Sequence, residues 1–355
     1  MQATAVIDQE KYDCSLPASP AEAVSQFAHE LCPPGVEIVG HSKGIRQVLE
    51  MAKVVANSKC NPILILGESG TGKELIARAI HTWHCGRGSF ESFVAVNCAG
   101  LTANLLESEL FGHVKGAFTG ADREKTGLFE VAAQGTIFLD EISEMAPELQ
   151  PKLLRVLEEK TLRKVGGTKD IRCEATIIAS SNRDLLAEVE KGTFRKDLYY
   201  RLTVFPIKIP PLDSPDRRDD IELLAEYFIE NSAVPTISKP TGLSAEAVEQ
   251  LSRHSWPGNV RELRNVIERA VILEKSAQIT PTNLIIEYYE RQEQDKEPEA
   301  LDAQDFSLEG AERRLIARVL KQTGWQRTEA AALLGISRAT LYAKVKRYDI
   351  KAHRA

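Results

Sequence analysis

Eight consecutive residues, Gly67-Glu68-Ser69-Gly70-Thr71-Gly72-Lys73-Glu74, have the types and spacing to hold a chain of phosphates. The glycines let the backbone curl until its N–H groups converge on phosphate oxygens, and a helix starting at Lys73 would present its positive end to the same point. Lys73 itself would reach the β- and γ-phosphates. All positions but the last fit the phosphate-loop pattern G-x-x-x-x-G-K-[ST]; Glu74 stands where the magnesium-binding hydroxyl is usual. Glycine-rich stretches also occur as plain turns, but a second motif argues against that here. Thr136-Ile137-Phe138-Leu139-Asp140-Glu141 is an apolar run ending in two acids. Beside a phosphate loop, Asp140 would hold Mg2+ and Glu141 would polarise an attacking water. ATP and Mg2+ are therefore the expected ligands.

Such groups need rigid supports. Ile63–Leu66, just before the phosphate loop, is a short apolar run of the kind that forms a buried parallel strand. Further strands are expected at 93–96, 136–139, 175–179 and 204–209, with helices at 147–158 and 184–191 between them. Strands alternating with helices predict a parallel sheet covered on both faces. Ile45, Val48, Leu49, Ala52 and Val55 recur at helical spacing ahead of it, and Pro206, Pro210 and Pro211 are read as ending the core. Residues 213–285 read as a helical lid with helices at 221–231, 244–253 and 259–274, the last capped by Asn259 after Trp256-Pro257-Gly258. The expected divisions are an arm at 1–35 with a short helix near 20–31, the α/β core at 36–212, the lid at 213–285, an acidic linker at 286–306 and a tail at 307–355.

The net charge of −6 does not suggest nucleic acid, but its distribution does. The tail from Ser307 carries eleven basic residues against four acidic ones. Helices are expected at 309–322, 328–334 and 337–348, with Gly335-Ile336 as a turn and Ser337 as the cap of the last. That pattern is a helix-turn-helix. Leu341 and Val345 would face its core, and Arg327, Ser337, Arg338, Thr340, Tyr342, Lys344 and Lys346 are the candidates for contacting double-stranded DNA. Six scattered cysteines without C-x-x-C spacing argue for reduced thiols rather than zinc or disulfides. No apolar run approaches a membrane span and no secretory leader is visible at the start, so a cytoplasmic location is expected.

Between the two nucleotide motifs lies Gly116-Ala117-Phe118-Thr119-Gly120-Ala121, led in by Glu109-Leu110-Phe111-Gly112-His113-Val114-Lys115. In that setting it resembles the signature loop of the AAA+ activators of sigma-54 RNA polymerase, the bacterial enhancer-binding proteins. The resemblance covers roughly residues 36–285 and the tail, which is similar to a Fis-type helix-turn-helix. It implies an AAA+ P-loop core with parallel sheet, a helical lid and a C-terminal all-α DNA-binding domain. It also makes Glu74 an ordinary residue at its position. Asn97 matches the residue that holds the catalytic glutamate and senses the γ-phosphate, Asn182 matches sensor I, and Arg261 matches sensor II. Arg195 and Arg201 match two arginines supplied to the neighbouring subunit's ATP, a task suited to a permanent, forked charge. The resemblance makes Gly116, Ala117, Phe118, Thr119, Gly120 and Ala121 the sigma-54 contact, with Phe118 and Thr119 touching it and the glycines as hinges.

The function so implied is ATP-driven remodelling of the closed promoter complex to the open one. It would proceed from a hexameric ring bound upstream at an inverted repeat, since Fis-type modules dimerise. Ala343 stands where relatives often have a basic residue. Lacking a receiver domain in the short arm, the protein is expected to answer to a trans-acting regulator or to its own abundance. Two other readings are a regulator whose ATPase core only controls assembly, and an AAA+ remodeller of unrelated proteins; the intact 116–121 loop opposes the first and the basic tail the second.

Overall fold

The computed structural model describes residues 32–58, 60–85, 91–232, 240–286 and, in the tail, 312–313, 315–317, 319–320, 323 and 325–348. The expected helix near 20–31, the linker from 287 to 306 and Cys14 lie outside these. The chain forms two compact units, one ending at Ile286 and one beginning at Glu287.

In the first unit, five strands make one parallel sheet: β1 (Ile63–Leu66), β2 (Phe93–Asn97), β3 (Thr136–Asp140), β6 (Thr176–Ser181) and β7 (Pro206–Lys208). Their order is β2-β3-β6-β1-β7. Two short strands, β4 (Thr161–Leu162) and β5 (Ile171–Arg172), pair separately as an antiparallel ribbon. The central strands are buried almost throughout yet serve two cores, because successive side chains leave opposite faces. Leu64, Ile137, Leu139, Ile177 and Ala179 enter one cluster, while Ile63, Ile65, Phe138, Ile178 and Ile207 enter the other. The second cluster is completed by α1 (Lys43–Asn57) and α2 (Lys73–Cys85), and the first by α3 (Ala103–Phe111), α4 (Leu128–Ala132), α5 (Gln150–Glu159), α6 (Leu185–Glu190) and α7 (Lys196–Leu202). Pro206 does not end the core. It is the first residue of β7 at the sheet edge, where a missing N–H costs no ladder bond.

The lid is a three-helix layer of α8 (Asp220–Glu230), α9 (Ala245–Arg253) and α10 (Asn259–Leu273) around Leu224, Leu251, Trp256, Leu263 and Ile267. A short parallel pair, β8 (Gly242–Leu243) with β9 (Gln278–Ile279), closes it. Asn259 does not cap α10: Gly258 is the N-cap, and the Asn259 side chain is used elsewhere. Glu274 ends that helix and gathers the following turn, accepting from the N–H groups of Lys275 and Ser276 (both 3.0 Å), the Ser276 hydroxyl (2.8 Å) and Asn283 Nδ2 (2.9 Å). These donors, Asn283 first, pull its carboxyl down to about 2. A depressed carboxyl stabilises the fold above its unfolded value, and that support is lost as pH falls through about 2. Glu274→Ala should therefore lower stability by about 1–3 kcal/mol at neutral pH, since it leaves several donors unmet. Urea denaturation checks this; the deficit should shrink as pH falls below the ordinary carboxyl range.

The second unit contains a stretch that is helical at every described position from 312 to 320, then α11 (Arg327–Leu333) and α12 (Arg338–Arg347). Ile316, Leu320, Ala330, Ala331 and Leu341 form its core, with Val345 against it. Gly335 turns between the helices at φ 64°, and the Ser337 hydroxyl accepts from Thr340 N–H at 3.1 Å as an N-cap.

Candidate functional site

The phosphate loop leaves β1 and enters α2 with Gly70 at φ 79° and Gly72 at φ 100°. Gly67 N–H is held by Ser181 O at 3.2 Å, tying the loop's start to the end of β6. The N–H groups of Gly72, Lys73 and Glu74 find no acceptor among the described residues. They form the open, positive first turn of a helix, the donor set that a phosphate satisfies. Lys73 is buried and its ammonium donates to Gly67 O (2.8 Å) and Glu68 O (3.0 Å). Burial lowers its pKa, opposed by the nearby charges of Asp140 and Glu141. Glu74 points to solvent and pairs with Arg78 at 2.7 Å, leaving the loop's interior to backbone donors.

Asp140 ends β3 in register with Asn97 on β2, so both side chains stand at the carboxyl edge of the sheet, where α/β folds bind ligands. Ser180 sits on β6 beside them, fully buried, and was not singled out by its sequence. Its hydroxyl donates to Asp140 Oδ1 and accepts the Glu141 N–H at 3.2 Å. Glu141 itself is held at φ 54°, ψ 51°, a left-handed conformation unusual for a residue with a side chain. Strain of that kind persists where surrounding structure over-determines it, typically at functional positions. The Glu141 carboxylate has no hydrogen-bond partner among the described residues. Burial, reinforced by Asp140 and Glu141, pushes the neighbouring Cys98 thiol up to about 12, so it stays protonated.

Asn97 does not reach Glu141 here; its Oδ1 instead accepts from Ala99 N–H at 2.8 Å. Asn182 is exposed just past β6, at a turn that Ser181 caps through its hydroxyl. From the lid, Arg261 approaches Ser69 Oγ at 3.4 Å. Arg195 caps the start of α7 and Arg201 lies in its last turn, and the two differ in availability. Arg195 lies on the surface, held by both carboxylate oxygens of Asp197 (3.1 and 2.7 Å). Arg201 is half-buried and donates to Leu157 O at 3.0 Å.

The 116–121 loop stands on a clamped base. His113 exchanges both backbone bonds with Lys125 (3.2 and 2.9 Å), Val114 N–H meets Val165 O (3.1 Å), and Gly116 N–H meets Ala121 O (2.8 Å). Gly116 and Gly120 have φ of 81° and 98° with open space where a Cβ would be, so they are needed for conformation and not for close packing. Phe118 is 46% exposed, its ring edge-on to His113 with centroids 4.9 Å apart. Thr119 is exposed as well. Ala121, expected among the contact residues, is instead buried at the loop's foot.

In the second unit Arg338, Thr340, Tyr342 and Lys346 are exposed along α12, and the Arg327 guanidinium lies 5.3 Å from the Tyr342 ring centre. Lys344 is partly withdrawn: it pairs with Glu312, which also accepts from the Tyr348 hydroxyl at 2.6 Å. That removes it from the free cations expected on this face. Among the described residues no His, Cys, Asp and Glu cluster could hold a metal by itself, and no helix is long and apolar enough to cross a membrane.

A model of the sigma-54 interaction domain matches residues 38–208, an AAA+ ATPase lid domain matches 215–301, and a bacterial regulatory protein domain of the Fis family matches 307–348. The transcriptional regulatory protein ZraR of Escherichia coli (strain K12) is 42% identical over 93% of this chain and 70% of its own length. The chain belongs to the sigma-54-dependent transcription activators. Its core is an AAA+ ATPase domain with its lid, followed by a Fis-family helix-turn-helix. The Nif-specific regulatory protein of Klebsiella pneumoniae is 41% identical over 94% of this chain and 65% of its own length. This chain spans 44% of the formate hydrogenlyase transcriptional activator FhlA of E. coli, so members of the family differ widely in what they add to the shared part. A crystal structure of NtrX from Brucella abortus in complex with ADP superposes with a TM-score of 0.63 at 34% identity, covering 92% of this chain and 72% of that one.

Proposed function

We propose that this chain uses ATP hydrolysis to convert sigma-54 RNA polymerase from a closed to an open promoter complex, while its tail holds upstream DNA. The observation that carries this reading is the loop at 116–121: an exposed Phe118-Thr119 tip on two left-handed glycines, clamped at its base through His113 and Val114. An exposed aromatic tip suits an intermittent protein contact.

In this reading the bare N–H groups of the first turn of α2 and the Lys73 ammonium take the phosphates. The oxygen set at Asp140 fits Mg2+, a hard cation, with Ser180 occupying one carboxylate oxygen and leaving the other. Bound there, the metal would neutralise charge on the phosphate oxygens. Glu141, aimed by its left-handed backbone and unpaired, is the group that polarises the attacking water. Asn97 would leave Ala99 to reach Glu141 or the γ-phosphate, and Asn182 and Arg261 would respond to the same group. Arg195 would leave Asp197 to enter the neighbouring subunit's site, which makes the active form a ring, with six members by family resemblance. Arg201, already half-buried, is better placed to hold the α5–α7 contact than to cross first. The exposed residues of α12, with Arg327, would read an inverted repeat as a dimer, and the cytoplasm is the matching location.

Purified sigma-54 polymerase, ATP and a sigma-54 promoter test the proposal through permanganate footprinting. Wild type should open the promoter, and Thr119→Ala should hydrolyse ATP without opening it. If wild type hydrolyses ATP and binds DNA yet never opens the promoter, an assembly-controlling regulator replaces the activator.

A further inference from the structure

Three successive carbonyls of the phosphate loop are bound from the lid, each by a different group. Asn259 Nδ2 donates to Ser69 O at 3.2 Å, Val260 N–H to Gly70 O at 3.1 Å, and the buried Arg217 to Thr71 O at 3.1 Å. A peptide unit is planar and trans, so fixing a carbonyl outward aims the following N–H the opposite way. The three bonds therefore turn the N–H groups of Gly70, Thr71 and Gly72 away from the lid contact; that of Thr71 meets Glu68 O within the loop at 3.4 Å, while those of Gly70 and Gly72 find no acceptor among the described residues. Asn259 does more than its neighbours. It is fully buried at φ 51°, a conformation that asparagine tolerates better than most residues. Its Nδ2 also donates to Glu68 Oε2 at 3.0 Å, and its Oδ1 accepts Leu212 N–H at 2.7 Å, where the core passes into the lid.

We propose that Asn259 is a positioning residue that presets the phosphate loop for nucleotide, through an amide bridge joining the loop, the core–lid junction and the first turn of α10. The loop's donors are then oriented before nucleotide arrives, so the ordering cost is met in the fold and affinity rises. Any displacement of the lid would loosen the three carbonyls together and weaken nucleotide binding.

Two substitutions separate this from plain structural support. Asn259→Gly keeps the left-handed backbone and removes the amide. Asn259→Asp keeps the shape and the acceptor for Leu212 N–H but sets a carboxylate against Glu68 and Ser69 O. Affinities for ADP and for a non-hydrolysable ATP analogue, measured by calorimetry on the full chain, should weaken at least tenfold in both. The KM for ATP should rise with them, while kcat at saturating ATP changes little. Asn259→Asp combined with Glu68→Gln exchanges donor and acceptor across the bridge and should recover part of the affinity. The inference rests on the ATP reading of the loop, and the outcomes keep the two apart. Wild type that binds neither nucleotide sinks that reading. Wild type that binds, with a folded Asn259→Gly binding within twofold of it, sinks the clamp alone. A lowered melting temperature with unchanged affinity in Asn259→Asp, and no recovery in the pair, would equally reduce Asn259 to structural support.

Discussion

Glu141→Gln is expected to lower ATP turnover by about 10²–10⁴-fold, the usual contribution of a positioned general base. The substitution is isosteric, so the left-handed backbone at φ 54° and the N–H bond to Ser180 are retained. Asp140, fixed by the Ser180 hydroxyl, is likewise undisturbed. What is removed is the carboxylate just past β3 that no group among the described residues engages. Because the loss falls on the chemical step, ADP and ATP should bind about as well as in wild type while kcat collapses. Steady-state phosphate release, with calorimetric nucleotide affinity on the same preparation, measures both. A variant that keeps more than a third of its turnover would move the base to another residue.

The second large effect is expected at Gly70. A Cβ there would lie 2.2 Å from the Gly258 carbonyl oxygen and 3.0 Å from Arg261 Cβ. Both obstacles belong to the lid, and the nearer one is backbone, so no rotamer change relieves the overlap. The residue also sits at φ 79°, which costs an L-residue about 1–2 kcal/mol. Gly70→Ala should therefore drive the start of α10 off the phosphate loop, with nucleotide affinity falling by about 100-fold or more, the scale expected when a close constellation is displaced by about an ångström. Gly192→Ala is the control. It has a similar φ of 77° and nothing within 4 Å, so it carries the conformational cost without the collision. Equal affinities in the two variants would show that the lid yields freely at this contact.

The sheet was legible because its strands are apolar runs of strand length, and the nucleotide motifs because their spacing reflects what a phosphate demands of a backbone. Contacts that join distant segments left no local trace. Asn259 has the composition of a helix cap, and nothing nearby reveals that its amide bonds Glu68, 191 positions away. Arg217 lies in a turn rich in charge and proline, where burial is the last expectation, yet it is almost wholly enclosed. Ser180 did leave a signal: two serines close an otherwise apolar strand, and a buried hydroxyl must find a partner. Pro206 was misleading because proline marks the end of a structure and the edge of a sheet equally well. The pairing of Lys344 with Glu312 likewise joins separate helices and left no local trace.

The base of the 116–121 loop bears on how force could leave this molecule. A strand attached at one end, or two slack ends, can only be pulled taut. Here the two legs are fastened to each other, His113 to Lys125, the leading one is fastened again through Val114 to Val165, and the loop is bridged once more between Gly116 and Ala121. A stem braced in this way resists buckling. It can push on what lies ahead of Phe118 as well as drag it back, and a displacement of its base would reach the tip without being absorbed in slack along the way.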